Sequence, residues 1–192
     1  MNNIDVNGDS IWYTRNGDIV TMHVTAKIFN NSSDNINMAR AAKDIVSDIK
    51  STYEVKFEWS DNKTYNLKVD MDLKVATSMK DVENSDHLFV LADSDSKGAR
   101  GATSMLGGKV MTLASSDFAN NNWLSNNLSY NKTFTATHEF GHAIGLSHSQ
   151  NPFNIMKQGG VVHNSNSNQR VIMLQQNNNL VVDIYNLGLK WR

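Results

Sequence analysis

Cysteine is absent from this 192-residue chain, and its absence removes several kinds of chemistry. Without thiols there can be no disulfide framework, no cysteine-ligated zinc site and no thiol nucleophile. A bound transition metal would therefore be held by histidine and carboxylate side chains. Six histidines and 19 acidic residues are present to supply such ligands.

An excess of positive charge is also lacking. Lysine and arginine number 18 against 19 acidic residues, and no stretch collects the basic side chains that phosphate binding requires. We therefore expect neither a nucleic-acid partner nor attraction to an anionic membrane surface.

Long hydrophobic runs are missing as well. The longest, LFVLA at residues 88–92, is far shorter than the ~20 apolar residues of a transmembrane helix. The opening MNNIDVNGDS lacks the basic segment and apolar core of a signal peptide. We predict no membrane span, and we expect a single domain over residues 1–192, processed or excised from a larger exported protein.

The apolar pattern predicts an α+β domain. Residues 20–28 alternate apolar and polar side chains, which is typical of a strand with one buried face. Residues 38–49 place apolar side chains at helical spacing, after N-cap candidates at residues 32–35. With the later strands, this order indicates a twisted mixed β-sheet of about five strands with a helix packed on it.

The remaining segments continue this pattern of short strands followed by helices. They are a hairpin at residues 53–59 and 65–75, a buried strand at 87–93, two strands within 101–114, a helix at about 132–143 and a closing helix near 180–187.

Three of the six histidines lie in one short segment, HEFGHAIGLSH. On a helix, His138 and His142 would stand on the same face with Glu139 beside them. Gly145 can adopt a positive φ and turn the chain back, so that His148 approaches the same point from a loop. The bland alternative is that these are ordinary surface or core histidines. We favour a metal site because all five of these residues occur together at the spacing that such a site requires.

Three imidazoles would leave one position of a tetrahedral zinc ion open to water. Zinc lowers the pKa of such a water to about 7. Glu139 is then the natural general base, able to take the water's proton and pass it to a leaving amine. This is the chemistry of peptide hydrolysis.

The segment resembles the signature H-E-x-x-H-x-x-G-x-x-H of the metzincin zinc endopeptidases. Two further positions resemble the matrixin branch of this family. Ser149 directly follows the third histidine, and Met156 in NPFNIM comes eight residues after His148. The resemblance implies one catalytic Zn²⁺, a methionine turn beneath it, and active-site, backing and C-terminal helices. It also implies an upper part at about residues 1–145 and a smaller lower part at 146–192. A core-filling role is the alternative for Met156.

Two features of the resemblance are absent or in doubt. The structural zinc of matrixins needs three further histidines, but His23, His87 and His163 are scattered, and we expect each to be solvated. The loop ADSDSKGARG lies where matrixin-like domains hold calcium, and Asp93 and Asp95 could be ligands for Ca²⁺. We favour an ordinary acidic loop there.

The resemblance also implies how a substrate binds. An extended peptide would add to an exposed edge strand within GATSML, and residues 157–163 would wall a specificity pocket. We expect an extracellular or exported protein, either a secreted protease or a toxin module with a proteinaceous inhibitor or immunity protein. A catalytically silent zinc-containing binding module is the alternative function.

Overall fold

A mixed β-sheet and two α-helices make up the described part of the protein. The computed structural model describes residues 11–58, 62–93, 101–119, 134–150 and 154–158. The strands are β1 (Ile11–Asn16), β2 (Ile19–Asn31), β3 (Lys56–Glu58), β4 (Thr64–Ala76), β5 (His87–Ala92), β6 (Gly101–Thr103) and β7 (Val110–Ala114). The helices are α1 (Met38–Tyr53) and α2 (Phe134–Ala143), with single 3₁₀ turns at Met79–Asp81 and Ser115–Asp117.

The sheet is mixed, with parallel strands β4, β2, β5 and β7 at its centre and with β1, β3 and β6 paired antiparallel to them. Its order is β3-β4-β2-β5-β7-β6, and β1 pairs with β2. β2 lies parallel to β4 and β5, and β5 lies parallel to β7, whereas β3 and β6 are antiparallel to their neighbours. The predicted α+β fold is confirmed, with seven strands in the described residues where about five were predicted. The predicted closing helix lies outside these residues.

The central strand β2 follows its sequence pattern closely. Its apolar side chains from Val20 to Ile28 are buried at every second position, and the polar ones between them are partly exposed. β1 pairs with residues 19–24 of β2, and β5 pairs with residues 26–31. The sequence does not predict β1, because four consecutive residues of IWYTRN are half-buried and no period of two marks this strand.

Helix α1 packs its apolar stripe onto the sheet, as the helical spacing predicted. The buried positions are Ala41, Ala42, Ile45, Ile49 and Tyr53. The predicted N-cap at residues 32–35 is wrong, because the Asn37 side chain accepts the first hydrogen bond, from Arg40 N at 3.0 Å. The Ser32 hydroxyl instead donates to Asn30 Oδ1 in a preceding turn.

The predicted hairpin is confirmed as β3 and β4, but Tyr53 does not belong to it. Tyr53 comes four residues after Ile49 and so extends the buried stripe of α1 instead. Its hydroxyl donates to the Thr137 carbonyl of α2 at 3.0 Å. This bond ties the two helices together.

No described helix is long and apolar enough to cross a membrane.

His87 is not solvated, contrary to our expectation. It opens β5 opposite Ala26 of the central strand and is 4% exposed. Within the described residues, its Nδ1 has no hydrogen-bond partner. Burial lowers the pKa of His87 from its ordinary value of 6.5 to about 4. The folded protein therefore keeps this ring neutral at pH values where the unfolded chain would already bind a proton.

The free energy of unfolding should therefore decline in acid through His87. Its contribution is fully present above pH 6.5 and is lost as the pH falls toward 4, which amounts to about 3 kcal/mol over that window. Urea denaturation of metal-free protein at several pH values would measure this decline. His87→Leu should show a flatter curve, and parallel curves for the two proteins would contradict the assignment.

Candidate metal centre

Helix α2 ends in a turn that reverses the chain at a glycine. Gly145 has a φ of 92°, a conformation that residues with a Cβ rarely adopt. Its N–H donates to the His142 carbonyl at 3.0 Å, and Leu146 N–H donates to the Gly141 carbonyl at 2.8 Å. These two bonds form a Schellman motif, which satisfies the last carbonyls of the helix. The reversal brings His148 back toward α2.

The three histidines of this segment converge through their Nε2 atoms. His142 Nε2 lies 3.1 Å from His138 Nε2 and 3.1 Å from His148 Nε2. Among the described residues, these three side chains form a cluster whose potential ligand atoms all lie within 4.8 Å of one another. His138 and His142 are partly buried, whereas His148 is exposed.

Backbone carbonyls orient the imidazole rings of the two histidines on α2. His138 Nδ1 donates to the Ile155 carbonyl at 2.6 Å, and His142 Nδ1 donates to the Leu146 carbonyl at 2.7 Å. A carbonyl only accepts hydrogen bonds, so in the neutral rings Nδ1 carries the proton and Nε2 presents a lone pair. Second partners of this kind hold metal-binding histidines in place.

When both rings are neutral, the Nε2 atoms of His138 and His142 therefore cannot satisfy each other by hydrogen bonding. Burial lowers the pKa of His138, which favours its neutral form. Two lone pairs 3.1 Å apart repel unless a cation lies between them. Tetrahedral zinc with Zn–N bonds of 2.0–2.1 Å holds its nitrogens about 3.3 Å apart. The histidine cluster fits such an ion.

Met156 packs beneath α2 and closes the loop that follows His148. Its side chain is fully buried. A Cβ added at Gly141 would overlap Met156 Sδ and lie 2.7 Å from the Tyr53 hydroxyl, so this close packing requires glycine. The Met156 carbonyl accepts from Ser149 N at 2.8 Å. Met156 thus anchors the chain directly after Ile155, whose carbonyl orients His138.

Glu139 is directed toward the edge strand β6. It is 6% exposed, and its Oε2 accepts a hydrogen bond from the Thr103 hydroxyl at 2.6 Å. Gly101, on the same strand, leaves room for the carboxylate, since an added Cβ would lie 2.9 Å from Glu139 Oε1. Sequence alone does not link these two strand residues to Glu139, because Thr103 and Gly101 lie 36 and 38 positions before it in the chain.

The remaining candidates lie apart from this cluster. Asp93 is exposed just after β5, and Asp95 lies outside the described residues, as does His163. His23 bonds Asp70 Oδ2 at 3.0 Å through Nδ1 and Thr14 Oγ1 at 2.8 Å through Nε2. Both of its ring nitrogens are thereby occupied.

Comparison with known families agrees with the fold and the histidine segment. The family model described as Matrixin matches residues 12–186. No curated protein is similar enough to count as a match. The matched region spans nearly all of the chain, from β1 through the histidine segment to Met156 and beyond. The chain belongs to the matrixin family, a branch of the metzincins.

Proposed function

We propose that this protein is a zinc-dependent endopeptidase in which Glu139 is the general base. Membership of the matrixin family implies a zinc metallopeptidase that acts on peptide substrates. The assignment of residues is supported above all by the two helical rings, whose Nε2 lone pairs face each other at 3.1 Å while both Nδ1 atoms bond to carbonyls.

His138, His142 and His148 would hold the zinc ion. When bound, zinc polarises the scissile carbonyl and acidifies water at its open position. The protein's own contribution is to aim the three ring nitrogens at one point. The Ile155 and Leu146 carbonyls orient the two helical rings, and the turn at Gly145 delivers the third.

Glu139 would move the protons. It follows His138 directly on α2, and its side chain is buried beside β6. In the proposed reaction its carboxylate takes a proton from the attacking water as the C–O bond forms. The same proton then goes to the leaving amine as the C–N bond breaks, which restores the carboxylate.

The substrate would lie as an extended strand along β6. This strand is at the edge of the sheet in the described residues, and its inner side pairs with β7. Met105 and Leu106 follow it and are 70% and 56% exposed. The Gly107 N–H donates to the His142 carbonyl at 2.8 Å, so this apolar pair is held next to the metal ligands. We infer that it contacts apolar side chains of the substrate.

The wider biological setting is also a proposal. We infer a single catalytic domain over residues 1–192, with an upper part at 1–145 and a lower part at 146–192. An exported protein is expected, either a secreted protease or a toxin module held in check by an inhibitor or immunity protein. Calcium binding at Asp93 and Asp95 stays the less favoured interpretation, since an ordinary acidic loop accounts for an exposed Asp93.

A quenched-peptide and casein assay tests the proposed activity. The purified protein should cleave internal peptide bonds, lose cleavage when a chelator removes the metal, and regain it when about one equivalent of zinc is added. Protein that binds one zinc ion per chain yet cuts no member of a diverse peptide library would instead support a silent binding module.

A further inference from the structure

The contact between Thr103 and Glu139 joins the substrate edge of the sheet to the proposed base. The Thr103 hydroxyl lies 2.6 Å from Glu139 Oε2 and 3.0 Å from the Glu139 main-chain carbonyl. It therefore contacts both the side chain and the backbone of the same glutamate. A hydroxyl has one proton, and the shorter distance is that of a charge-assisted bond to an ionised carboxylate.

A second feature of the strand confines the same carboxylate. Gly101 lies two residues before Thr103, so both positions are on one face of β6. A Cβ at Gly101 would lie 2.9 Å from Glu139 Oε1 and would overlap Thr135 Cγ2. One carboxylate oxygen is therefore bound by a hydroxyl, and the other occupies space that only glycine leaves open.

Free rotation is the main disadvantage of a glutamate as a base. Its terminal torsion is broad, so an untethered carboxylate samples many orientations. Catalytic groups are effective when neighbouring contacts restrict them to the productive orientation. The hydroxyl at 2.6 Å restricts this torsion and also satisfies a buried acceptor.

We propose that Thr103 is a positioning residue that orients the Glu139 carboxylate for proton transfer. This inference rests on the proposed function of Glu139. Thr103 itself does not touch the reacting atoms, and it acts only through the glutamate. Thr103 is on β6, the strand along which the peptide would bind. The same strand would therefore position both the substrate and the base relative to each other.

Thr103→Val removes the hydroxyl and keeps the shape of the side chain. It should lower kcat by about tenfold to a hundredfold, with KM changed by less than about twofold, since misorientation affects the chemical step. Thr103→Ser restores a hydroxyl and should recover at least about half of the wild-type kcat. Thr112→Val is the matched control, because Thr112 is exposed on the neighbouring strand β7 and should leave kcat unchanged.

Coupling to Glu139 distinguishes positioning from a structural role. In a Glu139→Gln background, Thr103→Val should cause less than about a twofold further loss, because the base is already absent. A full further loss there would overturn the proposal. So would wild-type kcat in Thr103→Val, or an equal loss in Thr103→Ser.

Crystal structures of the zinc-loaded variants test the inference without relying on activity. Thr103→Val should keep one zinc ion per chain while its Glu139 carboxylate leaves the position beside β6, and Thr103→Ser should hold it in place. An unmoved carboxylate in Thr103→Val would overturn the positioning role. If the wild type cuts no peptide, the proposed function fails, but this comparison still decides what Thr103 does.

Discussion

Glu139→Gln should abolish most of the hydrolysis while leaving the zinc content unchanged. Glutamine has nearly the same size and can still accept from the Thr103 hydroxyl, but it cannot take a proton from water at neutral pH. General acid–base catalysis typically contributes 10²–10⁴-fold, and here one group would serve both proton transfers. We therefore expect kcat to fall by about 10³-fold to 10⁴-fold.

The measurement is kcat and KM on a quenched peptide, with zinc determined in the same preparation. KM should stay within about threefold, because the proposed main-chain contacts of the substrate along β6 would not involve the carboxylate. Glu83→Gln is a matched control, since Glu83 is exposed and far along the chain from the histidine cluster. Hydrolysis at the wild-type rate by the Glu139→Gln protein would rule out the assignment of this base.

The histidine cluster could be predicted because its geometry is almost entirely local. Two ligands four residues apart on a helix share a face, and a glycine three residues after His142 can end that helix with a reversal. The structure has this helix, a φ of 92° at Gly145, and Nε2 atoms 3.1 Å apart. Each of these depends on residues within one short segment.

The partners of the cluster could not be predicted, because they are brought together by the tertiary fold. The carbonyl that orients His138 belongs to Ile155, and every residue has a carbonyl, so the sequence contains no signal for it. The hydroxyl that donates to Glu139 belongs to Thr103, on a strand of three residues that is too short to show a periodic pattern. His87 is a different case, because the predicted buried strand at residues 87–93 already contains it, and the expectation of a solvated ring is wrong.

His142→Ala should prevent stable zinc binding and reduce hydrolysis to background. Its Nε2 lies 3.1 Å from both other Nε2 atoms, so it is the central member of the cluster. Removing it leaves one ring from the helix and one from the loop, without the third ring that lies close to both. Loss of a mere partner to a metal ligand costs about 10–100-fold in affinity, so loss of a ligand should weaken zinc binding by more than about a hundredfold.

Zinc titration against a chromophoric chelator measures this affinity, and thermal unfolding gives an independent readout. Zinc at about a hundred times its Kd should stabilise the wild type by about 2.7 kcal/mol, and the same concentration should leave the Tm of His142→Ala almost unchanged. His23→Ala is the matched control, because both nitrogens of His23 bond to Thr14 and Asp70, and this variant should keep its zinc and its activity. A His142→Ala protein that holds zinc as tightly as the wild type would show that the ion is bound elsewhere. In that event, another cause would have to explain why the Nε2 atoms of His138 and His142 lie 3.1 Å apart and face each other.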